Sequence, residues 1–414
     1  MQIRLRFISL AVLVVSILML AISFATARDG GRTRFGNDLG ADHAGFYTAG
    51  WILNHHRAVD LYDNPFQDQV HHQLHPHLEP ETTLPYVHPP FVAVAFRPFA
   101  CLPYAWSFAL WLVVCFAFYL AGALVLLRTT AFTPSERWTA LLAMLAFEPF
   151  VLECWQGGQL SAVGFCFIAI GVALDLTNRR FQSGLSLGLC LYKPTLLIVI
   201  VPFLFATRRW RTLVGLTVTG VSLALLSVVS VGWDGTMAFV HQLLGFSKQA
   251  TSTSQLEFKT WKYVDLNAFT RLLTGGPGTI QQILFVTMAL PALGYILIRS
   301  RQNDGQLPGR TRLMWASVLL ATPVINLYVG MYDSVLAALG AILLIDGCRR
   351  GEAARERWIV WTVGALYVTP WVTQPAAQAI HVQAFTLILL GAGLWTASLK
   401  CRLTPNPDYQ GSRA

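Results

Sequence analysis

Apolar runs long enough to cross a bilayer recur along most of this chain, and that recurrence leaves very few folds open. They lie at 7–24, 105–127, 136–153, 159–177, 211–231, 279–298, 312–327, 332–347, 357–371 and 379–399. About 20 such residues carry a helix across the hydrocarbon core. Only a helix or a closed barrel satisfies its own backbone there. With 54% hydrophobic and 12% charged residues, the chain cannot cover itself with polar surface, so lipid has to be its solvent. Between 181 and 206 two shorter runs flank Lys193-Pro194. Each half falls short of a bilayer, which predicts a re-entrant or broken element. The expected fold is an all-α polytopic membrane protein with about 12 transmembrane helices.

Charge orients these runs. The net charge of +9 sits mostly in short connections: Arg128 and Arg137, Arg179-Arg180, Arg208-Arg209, Arg299 to Arg312, Arg349 to Arg357, and Lys400 with Arg402. Placing all of them inside satisfies the positive-inside rule and puts both termini in the cytoplasm. No basic patch with interleaved aromatics is present, which excludes a nucleic-acid partner. Ala25-Thr26-Ala27 resembles a signal-peptidase site, but the preceding run is long enough to span, so an uncleaved first helix is expected. The expected segments are a first transmembrane helix at 1–27 and an outer loop at 28–104 with amphipathic or re-entrant helices. A transmembrane bundle at 105–231, a second outer loop at 232–278, a C-terminal bundle at 279–400 and a cytoplasmic tail at 401–414 follow. In this topology Asp42, His88, Glu153, Gln159, Lys262, Asn267 and Asp333 face outward, with Lys193 at or near that side. The seven cysteines show no disulfide framework or CxxC motif and read as small core residues.

The large polar segment Arg28–Pro90 holds eight of the ten histidines. His71 and His75 have the i, i+4 spacing of a zinc pair, but no HExxH motif occurs and Pro76 interrupts the helix. They are expected to be solvent-facing loop histidines, and no metal or cofactor is expected. No P-loop or Rossmann glycine motif is present, which disfavours direct use of a nucleotide sugar.

Several ordered motifs carry a resemblance. Asp42-His43-Ala44-Gly45-Phe46-Tyr47-Thr48-Ala49-Gly50 is followed by Asp60-Leu61-Tyr62-Asp63, then by Tyr86-Val87-His88-Pro89-Pro90-Phe91 through Pro98-Phe99-Ala100-Cys101-Leu102-Pro103. Gly158-Gln159, Gly184 to Gly188, Tyr192-Lys193-Pro194 and Tyr332-Asp333 complete the set. In this order they resemble glycosyltransferase family 87, the polytopic transferases that use polyprenyl-phosphate sugars. His43 and Arg97 depart from the family pattern. The resemblance implies a GT-C type fold with a large first outer loop, in a bacterial cytoplasmic membrane. It implies an inverting transfer of a sugar, with mannose the candidate, from a polyprenyl-phosphate donor to a glycolipid or glycan acceptor. A transporter or flippase for a lipid-linked substrate is the alternative, since broken helices with midplane lysines also suit transporters.

The chemistry assigns expectations to residues. A carboxylate at the membrane surface suits general-base work, and the resemblance makes Asp42 the candidate, with Asp38 as substitute. Asp42 would otherwise cap a helix from His43 to His55. Lys193 stands alone in an apolar stretch, and facing a donor phosphate or snorkelling to the interface would each relieve its cost. His88, Gln159, Lys262, Tyr47 and Asp333 are expected to bind donor phosphate or substrate. Glu148 and Glu153 are expected to pair with a nearby cation or reach the interface.

Overall fold

The structure is a computed structural model that describes residues 2–27, 39–76, 86–252, 259–302, 308–351 and 356–399. Asp38, His77 and the tail from 400 onward lie outside the described residues. In chain order the helices are α1 Gln2–Ala25, α2 Ala41–His55, α3 Asn64–Leu74, α4 Pro90–Ala100, α5 Tyr104–Arg128, α6 Pro134–Leu145, α7 Ser161–Leu176, α8 Arg180–Gly188 and α9 Ile200–Ala206. They continue with α10 Trp210–Ser252, α11 Leu266–Thr274, α12 Thr279–Gln302, α13 Pro308–Ala321, α14 Leu336–Gly351, α15 Glu356–Val368, α16 Pro370–Ile380 and α17 Ala384–Ser398. Among the described residues extended backbone pairs only as an isolated bridge between Tyr263 and Gly330. The regular structure of the described residues is all helical.

Among the described residues five helices are long and apolar enough to cross a membrane, or six if α6 and the turn after it make one bent span. Pro90–Ala100, Ser161–Leu176, Pro194–Ala206 and Ala384–Ser398 are apolar but shorter. Local chemistry explains the breaks. Thr133 and Glu136 form a capping box that starts α6 ahead of Pro134. Pro149 cannot donate a backbone hydrogen bond, and the chain continues as a π-helical turn, Pro149–Trp155, bent by 42° from α6.

The expected loop at 232–278 begins as helix instead, because α10 runs through Gly232, where the backbone turns to φ 75°. Beyond that kink Gln242 donates to Asn64 Oδ1 at 2.7 Å, docking the distal half of α10 on the first residue of α3.

Three helices relate the two poles of the molecule. At the start of α5 the Tyr104 hydroxyl donates to the Gly40 carbonyl at 3.0 Å, and just past its end the Thr129 carbonyl accepts from Arg312 at 2.9 Å. At 1.5 Å per residue its 25 residues cover about 37 Å. Along α7, Ser161 at the start meets Asp333, and Asp175 near the end pairs with Arg209 and accepts from Trp315 Nε1 at 2.7 Å. The turn Met331–Val335 carries Asp333 into α14, whose far end holds Asp346 between Arg312 and Arg350. The arginines of alternate connections thus gather at one pole, and the polar residues singled out from sequence at the other.

The split element at 181–206 is a broken hairpin between these poles. α8 leaves the basic pole and packs on α10 at a crossing where a Cβ on Gly184 or Gly215 would collide with facing backbone, 1.9 Å from Thr212 O and 2.2 Å from Phe181 O. Its tip is made of short 3₁₀ turns, where the Tyr192 hydroxyl donates to Leu160 O at 2.9 Å. The chain then returns through α9 to Arg209. α4 stays in the layer of α2, with Arg97 Nε donating to Asn54 Oδ1 at 2.8 Å.

Candidate active site

Asp42 sits one residue inside α2, which begins at Ala41 and has no side-chain cap. The capping role expected for it is therefore corrected: Asp42 is held by a loop from another part of the chain. Gly40 N–H donates to Gln156 O at 3.2 Å, His43 N–H to Gly157 O at 3.3 Å, and Trp111 Nε1 to Gly158 O at 2.7 Å. These bonds stitch the loop 156–159 to the start of α2, and the Gln159 side chain hydrogen-bonds the Asp42 carboxylate. Gly158 has φ +73°, which favours glycine. A Cβ on Gly157 would stand 3.0 Å from Asp42 Oδ2, so the missing side chain there makes room for the carboxylate.

Asp42 remains partly accessible yet is surrounded by protein on most sides, as in a recess. That burial pushes its carboxyl up to about 7. Lys193 and Lys262 pull it down, Glu153 pushes it up, and the Gln159 hydrogen bond pulls it down. The balance leaves a group that exchanges its proton near neutrality.

Lys193 occupies the tip of the broken hairpin, between Tyr192 and Pro194. It does not stand alone, as its apolar neighbours suggested. Its ammonium pairs with Asp333, which also accepts from Ser161 Oγ at 2.6 Å, and it lies 4.7 Å from the centre of the Tyr332 ring. A partner 140 residues away is invisible in the local pattern. Asp333 is buried, whereas the lysine side chain keeps 17% exposure, so the pair fixes a cation with one side open.

His88 joins this group. Its Nδ1 donates to the Tyr192 carbonyl at 3.2 Å, which leaves Nε2 as an acceptor in the neutral ring. Burial, set against the Tyr192 bond and reinforced by Lys193, lowers its pKa to about 4. In the neutral ring its free nitrogen is therefore a hydrogen-bond acceptor.

Lys262 arrives on the turn Thr260–Lys262, aligned by the Tyr263–Gly330 bridge and by Val264 N–H donating to Val329 O at 2.9 Å. Glu153, on the π-helical turn, is in electrostatic reach of Asp42 and Lys262. It accepts from Gln374 Nε2 at 2.6 Å. Sequence reasoning missed Gln374 altogether.

Tyr47, expected to bind substrate, and Asn267, expected only to face outward, make other contacts. The Tyr47 hydroxyl donates to Leu102 O at 2.9 Å, and its ring packs edge-on against Tyr104 and His75. Asn267 belongs to a network with Gln281, at 3.0 Å, beside Thr270. His71 and His75 are buried, at 6% and 5% exposure, which overturns their reading as solvent-facing. They lie beneath α2 with His43, among Tyr47 and Tyr104. Among the described residues no three His, Cys, Asp or Glu side chains come together as a metal site.

An all-helical membrane protein that gathers a near-neutral carboxylate, two lysines and amide groups at one pole has the parts for group transfer at a bilayer surface. The chain matches the sequence profile of glycosyltransferase family 87 over residues 86–323, and it belongs to that family. It is a glycosyltransferase. The matched segment holds His88, Glu153, Gln159, Lys193 and Lys262; Asp42 and Asp333 flank it and join through packing. No curated protein and no solved structure matches the chain.

Proposed function

We propose that this glycosyltransferase takes a sugar, with mannose the candidate, from a polyprenyl-phosphate carrier and passes it to a glycolipid or glycan hydroxyl at the outer face of a bacterial cytoplasmic membrane. The GT-C architecture with about 12 passages and cytoplasmic termini belongs to the same reading. The observation that carries it is Asp42, near pH 7 in proton affinity, held by Gln159 with Lys193 in electrostatic reach.

In this reading Asp42 accepts the proton of the acceptor hydroxyl as its oxygen attacks the anomeric carbon. The carbon–oxygen bond to phosphate breaks, its electron pair leaves with the polyprenyl phosphate, and the anomeric configuration inverts. Lys193, oriented by Asp333, steadies the departing phosphate, where cations are worth more because water is sparse. Lys262 adds positive potential. The Gln159 amide orients the base, and His88 Nε2 accepts a substrate hydroxyl. Tyr47 supports the α2 layer and is not assigned to substrate.

Single-turnover transfer from polyprenyl-phosphate mannose by purified protein in nanodiscs tests this. Asp42→Asn is expected to lower turnover by about 10²–10⁴-fold while keeping donor binding. Asp60→Asn, on the surface pair with Arg57, is expected to stay near wild type. Near-native turnover in Asp42→Asn removes it as the base.

A further inference from the structure

The recess carries a second carboxyl that the reaction just outlined leaves unused. Glu153 projects from the π-helical turn, a backbone irregularity that is frequent at functional sites. Its Oε1 accepts from Gln374 Nε2 at 2.6 Å, a bond across 221 residues that ties α16 to this turn. Gly157, one turn beyond Glu153, borders Asp42: a Cβ there would stand 3.0 Å from Asp42 Oδ2 and 3.1 Å from the backbone carbonyl oxygen of Glu153. Glu153 keeps partial accessibility, as do Asp42, Lys262 and Tyr332.

A carboxyl with a purely structural role is enclosed and matched to a cation in contact. Glu153 hydrogen-bonds a neutral amide, stays partly open, and has both Lys262 and Asp42 in electrostatic reach. Carboxylates withdrawn from water into a recess cost free energy unless hydrogen-bond donors replace the lost hydration. A ligand rich in hydroxyl donors offsets that cost. A carboxylate offers about four acceptor positions and the amide adds an acceptor oxygen, so the pair can hold neighbouring ring hydroxyls. Lys193 and Asp333 form one group at this recess and Glu153, Gln374 and Lys262 another, with Asp42 reaching both.

We propose that Glu153 and Gln374 form a sugar-hydroxyl subsite near Asp42, which grips a hexose ring and contributes to sugar choice. The inference rests on the transferase reading above. The ring belongs either to the donor or to the acceptor; the recognising chemistry is the same.

The test measures binding of three probes to the full chain in nanodiscs: undecaprenyl phosphate, undecaprenyl-phosphate mannose, and a set of octyl hexosides. Glu153→Ala is expected to weaken a sugar-bearing probe about tenfold, Glu153→Gln less, and neither to change binding of bare undecaprenyl phosphate beyond twofold. Loss confined to the mannosylated lipid assigns the subsite to the donor, and loss confined to the octyl hexosides assigns it to the acceptor. Equal loss on the bare lipid, or no loss on either sugar probe, overturns the proposal. If wild-type protein fails to bind the bare lipid, the donor reading falls, while the hexoside arm still decides the role of Glu153.

Discussion

Asp42 owes its proton affinity to surroundings assembled from several parts of the chain. Burial raises the carboxyl while the two lysines and the Gln159 amide hold it near 7. The sign for activity follows directly: a base works deprotonated, so turnover is expected to rise about tenfold per pH unit below 7 and level off above it. In Asp42→Asn the residual rate should lose that inflection, and a pH profile of single-turnover rates checks it. For stability the sign is opposite. A carboxyl whose folded pKa lies above its usual 3.8 stabilises the fold below that value, and its contribution is lost as pH rises through about 7. Aspartate as the candidate was legible from its motif. The group that tunes it was legible only in part, because Gln159 stood next to a recognisable glycine pair whereas Glu153 and Gln374 are joined across 221 residues.

At the scale of elements, the broken hairpin and the α2–α3 layer make separate predictions. Lys193→Met strips a buried Asp333 of its cation, and breaking such a pair costs about 3–5 kcal/mol. The single variant is expected to lose stability and donor binding together. Lys193→Met with Asp333→Asn removes both charges, so it is expected to recover melting temperature but not binding of undecaprenyl phosphate. Recovered binding in the double variant would reduce Lys193 to a structural cation.

Beneath α2, burial holds His43 and His75 down at about 3 and His71 at about 4. An unfolded chain protonates them near 6.5, so stability falls as pH drops through that value. From pH 7 to 5 a histidine of this kind costs about 2 kcal/mol. Hydrogen exchange in α2 and α3 is expected to accelerate at pH 5, and His43→Phe with His75→Phe to blunt the change. An unchanged acid response in that variant would mean these histidines do not couple to the layer. The burial itself was not legible, since the histidine run reads as polar loop and only packing against Tyr104 and Tyr47 puts it inside.

Across the whole molecule, the alternation of apolar runs and arginines foretold two poles. The pole with Arg209, Arg312 and Arg350 is knit by buried pairs to Asp175 and Asp346, and the other gathers the candidate site. What the runs did not foretell is how many of them break. Pro149, Lys193-Pro194 and Gly232 interrupt helices where the candidate site or its covering layer needs backbone to turn, so apolar length alone overstates regular spans. Sidedness is the prediction that belongs to this scale. Thr48, in the middle of α2, is a poor reporter because it is buried at 4% exposure. Arg57, with its side chain 82% exposed beside the site layer, and Arg180, exposed at the basic pole, are suitable. Arg57→Cys and Arg180→Cys are placed in a background with Cys101 replaced, since that native thiol is exposed. An impermeant thiol reagent added to intact cells is expected to label Arg57→Cys alone, and Arg180→Cys only after the inner face is opened. Labelling of both from outside, or of neither, would contradict the two-pole orientation. Labelling of Arg180→Cys alone would invert it, moving the candidate site to the cytoplasmic face and changing which lipid-linked donors can reach Asp42.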